Sequence, residues 1–407
     1  MSEWKVKTIG DLGDIITGKT PKTCHPEYFG GDIPFITPCD IEQRFAFKTQ
    51  RYLTEAGAQS VKSCILLPLT VAVSCIGSDM GKSIMTAKKS VTNQQFNAIV
   101  VNDENDPYFV FYLTSYLLPV FRQEAGGSTA VPIVNKGAFS KIKTRVPSIA
   151  IQKRVSAVLS AIDDKIELNR RLNDNLEAMT QALYDHWFVQ FDFPDENGKP
   201  YKSSGGKMVW NEVLKREIPE GWSARPLFDV ASVLYGYPFK TELFTENSSD
   251  LPIIRIRDIL ENTFSAYSRE PIHEKYLTHR GDLLIGMDGN FHLNYWHRDG
   301  DGVNQRVVRI RSFAPTVSNI QLKLELTPYI KMREANVTRS TVGHLSDKDF
   351  KERYILVATE SAGFNPAKVL DALLDRMISL VAETQKLAKQ RDFLLPLLMN
   401  GQVQVKP

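Results

Sequence analysis

The 407-residue chain is short of features that mark several protein classes. It has four cysteines (Cys24, Cys39, Cys64 and Cys75), all in the first fifth of the chain and none in a Cys-x-x-Cys pair. That spacing fits no zinc site and predicts buried, reduced thiols. No uninterrupted apolar run approaches the ~18 residues of a membrane span. The best, residues 64–76 (CILLPLTVAVSCI), is short and broken by Pro68. The opening MSEWKVKTIGDLGD has no apolar core of a secretory signal, so the expected compartment is the cytoplasm. Charge of one sign is also lacking. A net +3 means that any basic surface must come from local arrangement.

Catalytic signatures are missing too. There is no P-loop, G-x-G-x-x-G, H-E-x-x-H or G-x-S-x-G, nor the Asn/Asp-Pro-Pro-aromatic loop of amino-methyltransferases. Asp163-Asp164 are adjacent in a helical stretch, so their carboxylates diverge by about 100°; they read as a solvated face. His292 and His297 flank Tyr295-Trp296 in FHLNYWH, without partners at metal-ligand spacing, and read as a polar loop on a recognition surface. No catalytic or metal-binding residue is assigned, and enzymatic activity is not expected.

What the chain does have is a repeat. Trp4, Ile9, Asp11, Leu12, Ile15 and Gly18 recur as Trp222, Leu227, Asp229, Val230, Val233 and Gly236, at a constant offset of 218. The offset persists from IPFITPCDI (33–41) to LPIIRIRDI (251–259), and TNQQF (92–96) resembles VNQRV (303–307). Ordered words of this kind mark a duplicated domain. Each copy reads as short strands between turn signals, with LPIIRIRDI and the stretch from Val307 alternating as half-buried strands do.

A long helix follows each copy. Alternating steps of four and three from Val155 give Leu159, Ile162, Ile166, Asn169, Asn173, Leu176, Thr180, Leu183 and Trp187. From Leu370 they give Leu374, Met377, Val381, Thr384, Ala388, Arg391, Leu395 and Leu398, about four heptads. Pro396 makes the last turn a candidate kink. The connection 193–222 is rich in Gly, Pro, Ser and Lys and lets the chain turn back, so the seams can pair antiparallel. The expected fold is α+β: two tandem, mixed, strand-rich domains, separated and followed by long helices that pair as an antiparallel coiled coil, an internal pseudo-two-fold repeat. Its segments are 1–148, 149–190, 191–221, 222–363 and 364–407. An asparagine on a seam costs stability and can fix register. Asn169 and Asn173 are therefore expected to hydrogen-bond across to Thr384 and Arg391, or else to face a partner subunit or solvent.

Polar loops occupy matched places in the two copies. ITGKTPKT (16–23) supplies Lys19, Thr20 and Lys22, and LYGYPFKT (234–241) supplies Tyr237 and Lys240. Thr37 follows the first matched strand. Arg255 and Arg257 are expected on one face of a strand, as are Arg309 and Arg311. Arginine forks suit phosphates and guanine, although an exposed, solvated strand face reads the same way. Asn93, Gln94, Gln95, Asn304, Gln305 and Arg306 place amides and a guanidinium at matched points. Amides can pair with adenine, or an Asn can simply close a turn. GGSTAV (126–131) with Ser128 and Thr129, and TRSTVG (338–343) with Arg339 and Ser340, suit phosphate contacts.

These residues carry a resemblance. The chain is similar to the specificity (S) subunits of Type I restriction–modification systems along nearly its whole length. The most specific part is IQKRVSAVLSAIDDKIELNRRLNDNLEAMTQALYDHWFVQFDFP with GKPYKSSGGKMVWN and IPEGW after it; LLPLLMNGQVQV resembles the C-terminal end. The second half departs from the pattern, having VATESAGFNPAKV where the first has VPSIAIQKR. The resemblance implies two target-recognition domains, each reading half of a bipartite, asymmetric double-stranded DNA sequence, joined by helices that act as a ruler. A helix of about 35 residues is about 50 Å long, against about 34–36 Å for one DNA turn. It also implies two modification (methyltransferase) subunits carrying S-adenosylmethionine, restriction/translocase subunits using ATP and Mg, and no cofactor or membrane for this chain. The competing readings are a free-standing bipartite DNA-binding regulator and a coiled-coil scaffold without nucleic acid.

Overall fold

The computed structural model describes residues 4–41, 43–125, 132–336, 343–359 and 364–405. The chain divides into two compact units: Met1–Leu168 with Gln385–Pro407, and Asn169–Thr384. The division cuts both long helices, Ile149–Tyr184 and Pro366–Met399.

The first unit is built on a five-stranded sheet. Its strand Phe96–Val101 lies between Gly13–Thr17 and Val71–Ser74, both antiparallel; Ser83–Thr86 and a short edge strand, Phe45–Ala46, follow. The sheet is buried on both faces, and the two-residue period of a strand sorts its side chains. Val71, Val73, Met85 and Ile99 pack toward Pro107–Tyr116, a helix opened by Pro107 and capped by Asp106, whose carboxylate accepts from Phe109 N at 2.9 Å. Ala72, Ile84 and Ala98 face the other way, toward Ile36 and Leu66. The second unit repeats this plan. Val307–Ser312 lies between Ala231–Tyr235 and Leu283–Gly286. Leu283, Ile285, Val308 and Ile310 join one core and Leu284 and Val307 the other. In both units a parallel pair recurs, Phe29–Ile36 with Ser90–Thr92 and Leu251–Ile254 with Gly302–Val303.

Each unit carries its own antiparallel helix pairing. In the first, Arg154 Nη1 donates to Val405 O at 3.4 Å and Arg391 Nη1 to Asp163 at 3.0 Å, so one number falls as the other rises. Leu159 and Ile166 are buried there, Ile162 and Leu395 half-buried. In the second, Asn169 Nδ2 donates to Glu383 Oε2 at 2.8 Å, and the rings of Trp187 and Phe364 lie 5.1 Å apart. Leu370, Leu374 and Met377 are buried, while Leu176, Leu183 and Val381 are half-buried.

Several sequence expectations need correction. Asn169, 0% exposed, meets Glu383 rather than Thr384 or Arg391, while Asn173 Oδ1 is buried without a partner among the described residues. Asp163 is not solvated. It is buried, accepts from Tyr112 Oη at 2.6 Å and pairs with Arg391, whereas Asp164 pairs with Arg44. The two carboxylates do diverge, but into two ion pairs. The second helix continues through Pro396 to Met399, with no break at the missing N–H. Cys64 and Cys75 are buried, but Cys24 and Cys39 are exposed.

The connection between helix and second copy is not a loose linker. The first helix widens into a π-type turn, Asp185–Val189, closed by Gln190 N donating to Asp185 O at 2.8 Å. The turn buries Trp187 and Phe188 side by side. Trp222 packs against Phe188, Phe191 and Phe193, Tyr201 stacks on Phe193, and a hairpin, Met208–Asn211 with Arg216–Pro219, follows.

Two predictions follow from these buried polar groups. Asn169 is buried with Oδ1 unanswered among the described residues, while its acceptor Glu383 is exposed. Glu383→Ala, which strips the buried Nδ2 of its acceptor, should therefore lower the melting temperature more than Asn169→Leu, which removes the buried amide altogether. A denaturation series over the two single variants decides this, and the reverse order contradicts it. The second concerns Glu325, on the helix Asn319–Ala335. Its carboxylate accepts from Gln321 Nε2 (2.8 Å) and Leu356 N (3.2 Å), and burial pushes it up from 4.5 to about 7. Below 4.5 the group is neutral in folded and unfolded chain alike. Between 4.5 and about 7 the unfolded chain gives up its proton first, so stability falls as pH rises through this window. Glu325→Gln should therefore melt higher than the unaltered chain at pH 8 and at the same temperature at pH 4; a gap independent of pH counts against this assignment.

Candidate nucleic-acid interface

Backbone hydrogen bonds gather the predicted loops at one end of each sheet. In the first unit Gly18 N donates to Phe96 O (3.0 Å), Lys19 N to Thr92 O (2.9 Å), Asn93 N to Ile36 O (3.1 Å) and Cys75 N to Gln95 O (2.7 Å). Lys19 and Thr20, Thr37 and Asn93–Gln95 thus form one cluster. In the second unit Gly236 N donates to Val307 O (3.0 Å), Tyr237 N to Val303 O (2.7 Å), Asn304 N to Ile254 O (3.2 Å) and Met287 N to Arg306 O (2.9 Å). These are the same joints, at matched positions of the repeat.

Two glycines make the joint possible. A Cβ on Gly18 would lie 2.1 Å from Asn93 O, and one on Gly236 would lie 2.0 Å from Asn304 O. Both glycines are required by close approach of backbone to backbone, which explains why the repeat keeps them.

The side chains divide between scaffold and surface. Asn93 closes a turn: its Nδ2 donates to Gln95 Oε1 (2.8 Å) and its Oδ1 accepts from Gln95 N (3.0 Å). Asn304 Oδ1 accepts from Arg306 N at 3.3 Å in the matched turn. Gln94 is exposed and bonded to Thr20 Oγ1 at 2.7 Å; Gln305 is exposed. Lys19, Lys22 and Lys240 are exposed too, but no bond ties Lys22 into the cluster. Tyr237 Oη and Lys240 N both donate to Glu270, at 3.0 and 2.8 Å. Arg306, 57% exposed, pairs with Asp288 at 3.1 Å, and Asp288 also binds His344 Nδ1 at 2.6 Å. Thr37 Oγ1 donates to Asp40 at 2.7 Å.

The arginine pairs depart from expectation. The strand ends at Ile254, because Asp258 accepts from Arg255 N at 2.9 Å and turns the chain into a 3₁₀ helix, Ile256–Asp258. Arg255 and Arg257 do not share a strand face. They converge on Ser265, through its carbonyl (2.6 Å) and its hydroxyl (2.9 Å). Burial and the neighbouring Arg257 hold Arg255 below the usual arginine range. Arg309 and Arg311 do share a face, but it is internal. Arg311 grips Asp282 through two bonds (2.6 and 2.7 Å), and Arg309 donates to Lys275 O and Leu277 O. The histidine loop is also structural: His297 is buried, and Trp296 is fully buried with Nε1 donating to Asp301 at 2.8 Å. Ser128, Thr129, Arg339 and Ser340 lie outside the described residues. Their neighbours Pro132 and Gly343 accept from Gly77 N and Gly289 N, at 3.1 and 3.0 Å, next to the clusters. Sequence reasoning missed Glu270, Asp288 and His344, which steady the surface side chains and carry no motif. Among the described residues no group of His, Cys, Asp or Glu could hold a metal.

The fold thus builds one loop cluster twice, keeping the turn-closing Asn93/Asn304 and the Gln94/Gln305 pair while Lys19 and Gln95 give way to Tyr237 and Arg306. The family model described as the Type I restriction modification DNA specificity domain matches residues 1–178. The MjaIX Type I restriction enzyme specificity subunit of Methanocaldococcus jannaschii is 26% identical over 99% of this chain and 94% of its own length. The HindI specificity subunit of Haemophilus influenzae is 36% identical, over 44% of this chain and 40% of its own. The crystal structure of the S subunit from M. genitalium shares the fold, with a TM-score of 0.55 at 17% identity over 98% of this chain and 96% of that one. The chain is thus similar to specificity subunits of Type I restriction–modification systems along nearly its whole length, and its first 178 residues match their DNA specificity domain.

Gly18→Ala and Gly236→Ala should each destabilise the chain by about 1–3 kcal/mol, the usual cost of forcing atoms into packed space. Chemical denaturation measures this, and a neutral substitution at either position contradicts the close-approach argument.

Proposed function

We propose that the chain reads a bipartite, asymmetric double-stranded DNA sequence in the cytoplasm, one half through each loop cluster. Residues 1–148 and 222–363 are the two readers, 149–190 and 364–407 the helices that hold them, and 191–221 the connection. Two methyltransferase subunits bearing S-adenosylmethionine dock on this scaffold, and restriction/translocase subunits supply ATP- and Mg-dependent cleavage. One observation carries the reading: the Gly18/Asn93 joint is rebuilt as Gly236/Asn304, with Gln94 and Gln305 common to both, while Lys19 gives way to Tyr237 and Gln95 to Arg306 at matched positions. Equal frames with unequal donors suit two unlike half-sites. Lys19, Lys22 and Lys240 suit phosphates, and Gln94, Gln305 and Arg306 suit base edges.

Mapping methylated adenines in cells carrying the system should give two short read blocks around an unread gap; a continuous motif contradicts the two-reader scheme. The helices, 36 and 34 residues long, are proposed to set that gap. One added helical turn in both should lengthen it, and an unchanged recognition sequence would remove the ruler role. In binding titrations, Lys19→Ala should weaken affinity evenly across sequences and reduce the salt slope by about one. Arg306→Ala should instead relax discrimination in one half-site only, by about 1–3 kcal/mol.

A further inference from the structure

One surface guanidinium of the second loop cluster is held in place by a carboxylate that is itself held. Arg306 Nη1 pairs with Asp288 Oδ2 at 3.1 Å, and the other oxygen of that carboxylate takes His344 Nδ1 at 2.6 Å. Backbone bonds bring the three together. Met287 N donates to Arg306 O, Leu345 N to Met287 O and Gly289 N to Gly343 O, around an antiparallel bridge between Asp288 and His344. The first unit rebuilds this backbone. There Cys75 N donates to Gln95 O, Val134 N to Cys75 O and Gly77 N to Pro132 O, around a bridge between Ile76 and Ile133. The side chains change as a set: Gln95, Ile76 and Ile133 stand where the second unit has Arg306, Asp288 and His344. Where the guanidinium is absent, its carboxylate and its imidazole are absent too. Gln95 folds into its own turn instead, its Oε1 accepting from Asn93 Nδ2 at 2.8 Å. A backbone that persists while three side chains change together gives the trio one task.

The guanidinium is planar, and its Nε–H and Nη2–H point the same way along one edge. Asp288 takes Nη1, and among the described residues no hydrogen bond engages the Nε–Nη2 edge of this 57% exposed side chain. Such an edge fits paired acceptors, either two phosphate oxygens or O6 and N7 of guanine in the major groove. The carboxylate beside it separates the two. Asp288 repels a phosphate and leaves the uncharged edge of a base untouched.

We propose that Arg306 reads a guanine through Nε and Nη2, and that Asp288, steadied by His344, is the positioning residue that aims it. The assignment rests on the function proposed above and adds the identity of one base in one half-site.

The full chain is titrated with a duplex bearing the motif that the methylation map gives, with duplexes in which each G·C pair of either block is changed to A·T, and with a duplex of unrelated sequence. At one G·C pair the change should cost the unaltered chain about 5- to 150-fold in affinity. Arg306→Lys keeps the charge and loses the paired donors, so it should flatten that preference while holding its affinity for the unrelated duplex. Asp288→Asn should weaken the same preference yet strengthen binding to the unrelated duplex, because a negative charge beside the DNA is gone. A residue that only holds the fold would weaken both. Arg306→Lys alters an exposed group alone and decides the matter if Asp288→Asn does not fold. A motif without a G·C pair, or a G·C preference that survives Arg306→Lys, overturns the assignment; an even loss on every duplex makes Arg306 a phosphate contact and overturns it as well. A preference unchanged in Asp288→Asn removes the positioning role. If the unaltered chain treats the mapped and unrelated duplexes alike, the proposed function itself fails, whereas discrimination that no variant moves leaves that function standing and this assignment refuted.

Discussion

An apolar stripe that runs the length of a 36-residue helix cannot be left in water. That constraint organises this chain. The first long helix gives Val155 and Leu159 to one core and Leu176 and Leu183 to another; the second gives Leu398 and Met399 to the former and Leu370, Leu374 and Met377 to the latter. Polar residues on the stripe are tolerated where the opposite helix answers them, as Glu383 answers Asn169 and Arg391 answers Asp163. Among the described residues, burial without an answer persists at the amide oxygens of both Asn169 and Asn173, where the stripe remains imperfect.

The loop clusters show how a frame and its readout can be separated. Backbone groups and turn-closing amides build the frame, and they tolerate no side chain at Gly18 or Gly236. Surface groups such as Gln94 and Arg306 stand on it, steadied by Thr20 and by the Asp288–His344 pair. Surface side chains can change without disturbing the backbone hydrogen bonds beneath them. This is the physical reason one fold can present different donors twice in the same chain.

The repeat, the helix lengths and the strand-rich domains were legible because period and offset survive in one dimension. What failed were inferences about side-chain direction. Arg255 and Arg257 have strand spacing, but a carboxylate three residues on, Asp258, ends the strand early. Arg309 and Arg311 do alternate correctly, yet their face turns inward on Asp282, a partner 27 and 29 residues away in sequence. Asp163 looked solvated because its partners, Tyr112 and Arg391, come from distant elements. The segment after the first helix looked like a linker because Gly and Ser conceal its spaced aromatics, Phe191, Phe193, Tyr201 and Trp222.

The two units also differ in the order in which they can be made. Asn169–Thr384 is one continuous stretch, so it can close as soon as its last residue has left the ribosome. The other unit is assembled from both ends of the sequence: Trp4 sits against Gly401, and Val155 and Leu159 share a core with Leu398 and Met399. Its first 168 residues must wait, with part of their core open, while more than two hundred others are synthesised. The domain begun first is therefore the one finished last, and a truncated product would carry its exposed apolar surface as a mark of incompleteness.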